Sequence, residues 1–322
     1  MALREIRGAA ERIAPWVLRT PLVAMSGAGV LLKAESLQPS GSFKLRGAFN
    51  SLLQLGPDER RRGVVAHSSG NHAVAVAMAA SRLGIEATIV MPSDAPAVKR
   101  DWTESLGATV ELVGGSSSER AERAAELAQR HGLALVEPYD SPSIIAATGT
   151  IGLEILEDLD AVGTYDGRRV EIYAPVSGGG LVSGIAAAAK ATDPAVRVIG
   201  VEPELAADAL ASIHAGERVR LPAADMARTI ADGLRVQCVG ELPWLHIDAY
   251  VDDVVTVSES QIRQAMSTIL TGSRLVAEPS GAVAPAAAIA AESNARDDDV
   301  VRVAVLSGGN VDMALLSAVL DD

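Results

Sequence analysis

Apolar and polar positions follow two rhythms along this chain: short β-branched runs, and between them longer stretches with helical spacing. The first element is an amphipathic helix over Leu3 to Ile13, with Leu3, Ile6, Ala10 and Ile13 on one face. Strand signals follow at GVVAH (63–67), EATIVM (86–91), ATVELV (108–113) and LALVE (133–137), each separated from the next by a helical stretch. A second series comprises VEIYAPV (170–176), VRVIGVE (196–202), AYVDDVVTV (249–257) and VVRVAVL (300–306). This succession of βαβ units predicts parallel strands joined by crossover helices, an α/β fold with two doubly wound domains.

With 322 residues the chain is long enough for about two domains. Hydrophobic residues make up 48% of it but aromatics only 3%, so the cores must be built from Ala, Val, Leu and Ile. A formal charge of -13 argues against a nucleic-acid partner, which rewards clustered Lys and Arg. No uninterrupted apolar run is long enough for a membrane span, and the amino-terminal MALREIRGAAERIAP is charged where a signal peptide would be apolar. A cytoplasmic protein with no membrane partner is expected. Cys238 stands alone and reads as a small buried hydrophobe, and NARDDDV near 294 as a solvated loop. Because the sequence stops at LDD after its last helical stretch, no appended regulatory domain is expected.

Lysine is informative here because only four occur, Lys33, Lys44, Lys99 and Lys190, against 24 arginines. In SLQPSGSFKLRGAFN (36–50) a Pro-Ser-Gly turn leads into helical spacing from Phe43 to Leu53, so Lys44 falls in the first turn of a helix. An ammonium is unfavourable at that positive end, whereas a lysine consumed in a covalent link, with a phosphate nearby, is well placed. In HSSGNHAVAVAMAA (67–80) a strand runs through Ser68, Ser69 and Asn71 into a helix, which offers unpaired N–H groups to a carboxylate or phosphate. VSGGGLVSG (176–184) again joins a strand to a helix, with three glycines free to wrap an anion. It is neither GxGxxG nor a Walker A loop, since Ser183 and Ile185 stand at the deciding positions. In VAVLSGGNVD (303–312) a strand ends at Ser307. All four loops follow the carboxyl ends of strands, where parallel α/β sheets bind ligands.

Taken in order, SGSFKLRG, SSGNH, SGGGL, EPSG and LSGGN span almost the whole chain and resemble the fold type II pyridoxal-phosphate (PLP) enzymes, in particular the serine/threonine dehydratase and serine racemase group. The resemblance implies that Lys44 carries the cofactor, that Phe43 packs beside it and that Asn71 bonds its phenolic oxygen. It further implies that Ser177, Gly178, Gly179, Gly180 and Leu181 cradle the phosphate, that Ser307 faces the pyridine nitrogen, and that Gly233 and Glu278 line the ring region. It implies a small domain, residues 63–140, inserted into a large one made of 1–62 and 141–322, and a homodimer.

The implied reaction is α,β-elimination on L-threonine or L-serine, giving a 2-oxo acid and ammonia, with Lys44 as general base. A serine rather than an aspartate at the pyridine nitrogen weakens the ring as an electron sink and favours elimination over transamination. The amino-acid substrate would sit against Ser68, Ser69, Asn71 and His72. Two features keep serine racemase and 3-hydroxyaspartate dehydratase open as alternatives. Serine racemases use a serine at the position of Ser69 as a second acid/base, and Arg120 falls where an arginine lies near the substrate. The racemase-like branch also binds Mg2+ or Ca2+ through residues that correspond to Glu202, Ala206 and Asp208, oxygen donors suited to hard cations.

Overall fold

The computed structural model describes residues 1–68, 70–93, 95, 97–114, 117–163, 167–294 and 299–321. Ten strands are present among them: β1 (Leu22–Met25), β2 (Val30–Ala34), β3 (Val64–His67), β4 (Ala87–Pro92), β5 (Thr109–Val113), β6 (Ala134–Leu135), β7 (Arg169–Pro175), β8 (Arg197–Pro203), β9 (Asp253–Val257) and β10 (Val300–Leu306). They form a six-stranded sheet in the order β1-β2-β10-β7-β8-β9 and a four-stranded sheet in the order β5-β4-β3-β6. The architecture is α/β with parallel pairing in both sheets, as the alternating pattern predicts, except that β1 runs antiparallel to β2. That hairpin corrects the expectation of purely parallel strands. LVAM and VLLKA are short, but the turn between them holds Gly27 and Gly29 with φ of 80° and 64°, a conformation glycine adopts without penalty. The acidic stretch 295–298 lies outside the described residues.

Strand β10 explains why the large sheet reads as mostly apolar runs. Val301, Val303 and Val305 join the core beneath helices Pro142–Ala161 and Gly180–Thr192, while Ala304 and Leu306 pack on the other face with helix Pro279–Asn294. Both faces are covered, so neither alternate set of side chains needs to be polar. The first helix, Leu3–Ile13, buries Ile6, Ala9 and Ile13, so Ala9 takes the place expected of Ala10.

Helices Pro142–Ala161 and Gly180–Thr192 cross closely because glycines remove the Cβ atoms between them. A Cβ on Gly184 would lie 2.3 Å from the Ile145 carbonyl oxygen, and one on Gly152 would lie 2.9 Å from that of Ile185. The Thr148 hydroxyl crosses the same gap to donate to the Gly180 carbonyl at 2.8 Å. The start of the second helix is thereby fixed.

Helix Lys44–Leu53 is pinned differently. The fully buried Arg46 donates to Glu35 (Nε to Oε2 2.9 Å, Nη2 to Oε1 2.8 Å) and to Glu154 (Nη1 to Oε1 2.6 Å, Nη2 to Oε2 2.8 Å), while buried Lys33 pairs with Glu154 at 2.8 Å. Burial pushes the Glu35 carboxyl up, but Arg46 and Thr20 outweigh it and hold it below the ordinary range. Breaking a buried pair leaves a charge without a partner, which costs about 3–5 kcal/mol. Arg46→Ala is therefore expected to lower unfolding free energy by about that amount, as measured by urea denaturation.

Candidate active site

The segment before Lys44 is zipped to the loop after β10. Phe43 donates its N–H to the Ser307 carbonyl at 3.0 Å, Gly309 donates to the Gly41 carbonyl at 2.9 Å, and Ser42 and Gly308 form an antiparallel bridge. Gly41 has φ of 73° and so turns the chain into the helix. Lys44 is the first residue of that helix, and its amine faces a cavity of about 250 Å3. Nζ donates to the Pro138 carbonyl at 2.6 Å and lies 5.1 Å from the Phe43 ring centroid. Burial pulls its pKa down to about 8, so a cation expected to be uncomfortable there is indeed close to giving up its proton near neutral pH.

Across the same cavity lie Ser177, Gly178, Gly179, Gly180 and Leu181, at the turn from β7 into helix Gly180–Thr192. Gly179 adopts φ of 87°, and no side chain caps the helix start, whose first N–H groups have no partner within the helix. The Ser177 hydroxyl is buried without a hydrogen-bond partner. A Cβ on Gly178 would fall 2.2 Å from Cγ of Tyr139, so the Tyr139 ring rests directly on this glycine. An orphaned hydroxyl beside uncapped amides fits a phosphate oxygen set. The residues thus suit PLP: an amine for its aldehyde and a cradle for its phosphate.

The remaining cofactor candidates line the same cavity. The Ser307 hydroxyl is buried, 3.5 Å from the Ser280 carbonyl. Gly233 lines the cavity and donates its N–H to the Ser280 hydroxyl at 2.9 Å. Glu278 accepts from Asn71 Nδ2 at 2.5 Å, and Asn71 Oδ1 accepts from Asn310 Nδ2 at 2.8 Å.

Of the residues expected to meet the substrate, Ser68, His72 and Arg120 line the cavity, while Ser69 lies outside the described residues. The buried His72 donates from Nε2 to the Val136 carbonyl at 3.0 Å, which leaves Nδ1 as an acceptor without a partner. Burial, reinforced by Lys44, pushes its pKa down to about 3, so the ring is neutral. The Ser68 hydroxyl accepts from the Gly70 amide at 3.1 Å and shapes the turn into helix Asn71–Leu83.

Glu202, Ala206 and Asp208 form a separate buried cluster at the end of β8. Glu202 accepts from the amides of Ala209 and Leu210, both at 2.9 Å. Asp208 makes no well-formed hydrogen bond with either carboxylate oxygen, although the amides of Asp208 and Val239 ease its charge. Burial pushes Glu202 up to about 8, with Asp208 adding to the shift, and pushes Asp208 up to about 7. Two orphaned carboxylate oxygens next to a second carboxylate suit a hard divalent cation, though no group of three His, Cys, Asp or Glu side chains gathers here or elsewhere among the described residues.

Pro138, Tyr139 and Asn310 carried no predicted role. Pro138 and Tyr139 sit in EPYD, directly after β6, and the rule that ligands bind beyond strand carboxyl ends was enough to mark that loop. Asn310 lies within the LSGGN motif but has no visible partner in the sequence.

Comparison with known proteins agrees with this geometry. Residues 13–308 match the pyridoxal-phosphate dependent enzyme family, and the chain belongs to it. It is 40% identical to an L-threonine ammonia-lyase of Thermotoga maritima over 100% of this chain and 78% of that protein. It is likewise 40% identical to a serine racemase of Oryza sativa subsp. indica, over 98% and 92% of the two chains. The crystal structure of a T.th. threonine deaminase superposes with a TM-score of 0.88 at 40% identity, covering 97% of this chain and 99% of that one.

The depressed Lys44 pKa has a measurable consequence in the cofactor-free protein. Between pH 8 and about 10.5 the unfolded chain still holds the lysine proton that the folded chain has released, so stability rises with pH across that window. Relative to Lys44→Met, which lacks this proton, the rise is expected to approach about 3 kcal/mol in urea titrations at successive pH values.

Proposed function

We propose that this protein is a PLP-dependent ammonia-lyase that converts L-threonine or L-serine to the 2-oxo acid and ammonia. The observation that carries the reading is a buried amine, with its pKa pulled down to about 8, facing a glycine cradle with an orphaned hydroxyl. When bound at Lys44, PLP supplies an electron sink that acidifies the substrate Cα–H. Lys44 takes that α-proton, and the Pro138 carbonyl and the Phe43 ring stabilise the ammonium it becomes. Neutral His72, with Nδ1 left as an acceptor, adds no competing cation. The amides at the start of helix Asn71–Leu83, with Ser68 and Ser69, seat the substrate carboxylate. Loss of the β-hydroxyl as water, followed by uptake of water and release of ammonia, balances the reaction.

Ser307 at the end of β10 is a neutral partner for the pyridine nitrogen, which favours elimination over transamination. Serine racemisation is the second reading. It is favoured by the serine at position 69, by the arginine Arg120 lining the cavity and by the 40% identity to a racemase. The unpaired oxygens of Asp208 beside Glu202, with the Ala206 carbonyl, support a Mg2+ or Ca2+ site. Residues 63–140, which hold the four-stranded sheet, act as a small domain closing on the remainder, the protein works as a homodimer, and its compartment is the cytoplasm. No helix among the described residues is long and apolar enough to cross a membrane.

Turnover, product and metal dependence test this reading. Assays of 2-oxo acid release should detect turnover of L-threonine or L-serine that Lys44→Ala reduces by at least about 1000-fold, with loss of the visible cofactor band. Formation of D-serine from L-serine without 2-oxo acid would favour the racemase reading instead. EDTA should lower the thermal midpoint by several degrees and Mg2+ restore it, whereas Asp208→Asn should respond to neither.

A further inference from the structure

The orientation of the Asn71 amide is set from two sides, by Glu278 in the cavity lining and by Asn310. Asn310 directs Nδ2 at two acceptors, the backbone carbonyl of Ser40 at 2.9 Å and Oδ1 of Asn71 at 2.8 Å. A backbone carbonyl can only accept, so Ser40 dictates which end of the Asn310 amide faces it. With both Nδ2 protons of Asn310 given away, the Asn71 group it meets must be the oxygen. The Asn71 nitrogen is thereby turned to the opposite side, where one N–H reaches Glu278 at 2.5 Å and the second remains for the cavity. Gly41 makes room for this arrangement, because a Cβ there would fall 1.9 Å from Asn310 Oδ1.

The chain of bonds also joins three separate pieces of the protein. Ser40 is on the turn four residues before Lys44, Asn71 begins the helix that follows β3 of the four-stranded sheet, and Asn310 is on the loop after β10 of the six-stranded sheet. We propose that Asn310 is a positioning residue that reads the fixed Ser40 carbonyl and holds the Asn71 amide with an N–H, not an oxygen, toward the cofactor ring. The inference rests on the reading of Asn71 as a cofactor-facing group.

A donor at the phenolic oxygen favours its ionised form, so losing the donor should shift the bound cofactor toward the neutral form, which absorbs at shorter wavelength. Asn310→Asp keeps the size of the side chain but cannot donate. The new carboxylate then competes with Glu278 for the Asn71 nitrogen, and an Asn71 turned toward it presents oxygen to Glu278 and the cavity. Asn310→Asp and Asn310→Ser, loaded with PLP, should both raise the pH midpoint between the two absorbance forms and lower kcat by about tenfold to a hundredfold, with KM changed far less. Asn71→Ala is the control. If Asn71→Ala alters the absorbance while Asn310→Asp leaves absorbance, pH midpoint and kcat as in the parent, the positioning role is overturned. If Asn71→Ala itself leaves the absorbance unchanged, the cofactor-facing reading of Asn71 is what fails. Should Asn310→Asp lower thermal stability yet leave the pH midpoint in place, Asn310 is a brace and the proposal is wrong.

Discussion

The hydrogen bond from the Phe43 amide to the Ser307 carbonyl is the constraint on which the site depends. It fastens the residue before Lys44 to the end of β10, in the middle of the large sheet, and so fixes a flexible side chain at a defined distance from rigid backbone. Everything else addresses that point: the Ser42–Gly308 bridge on one side, the Arg46 charge cluster within the same helix, and the glycine turn across the cavity. A lysine has rotamer freedom to lose, and fixing its base from two directions reduces how much remains to be lost.

The environment then tunes the chemistry. Burial alone brings the Lys44 amine within about a unit of neutral pH, and no neighbouring cation is needed. His72 is subject to the same burial, and as a neutral ring it adds no cation beside Lys44. The buried acid pair Glu202 and Asp208 faces the opposite problem. There two carboxylates share one desolvated space, so protons or a metal must compensate.

Much of this was legible in the sequence for physical reasons that can be named. Parallel strands buried on both faces are mostly apolar, so VEIYAPV, VRVIGVE and VVRVAVL identified themselves despite isolated charged positions, and β7, β8 and β10 are where they were expected. Three adjacent glycines between a strand and a helix have a steric meaning, here the Tyr139 ring against Gly178. Lys44 was conspicuous because lysine is scarce. What escaped were features made by meeting rather than by pattern. The β1–β2 hairpin is too short to announce a period, β6 holds two residues where five were expected, and Asn310 acquires its role only when residues 40, 71 and 310 come together.

The brevity of β6 has a consequence for how this enzyme can vary. The strand pairs with β3 at only two positions, yet the loop beyond it supplies the Val136 carbonyl to His72, the Pro138 carbonyl to Lys44 and the Tyr139 ring to Gly178. Two of those three contributions are made by main chain and do not depend on which side chain stands there, although the Val136 side chain is itself packed in the core. Tyr139 is the exception. Replacement of Pro138 therefore leaves its acceptor in place, whereas the contact with the glycine turn lasts only while a flat ring covers Gly178.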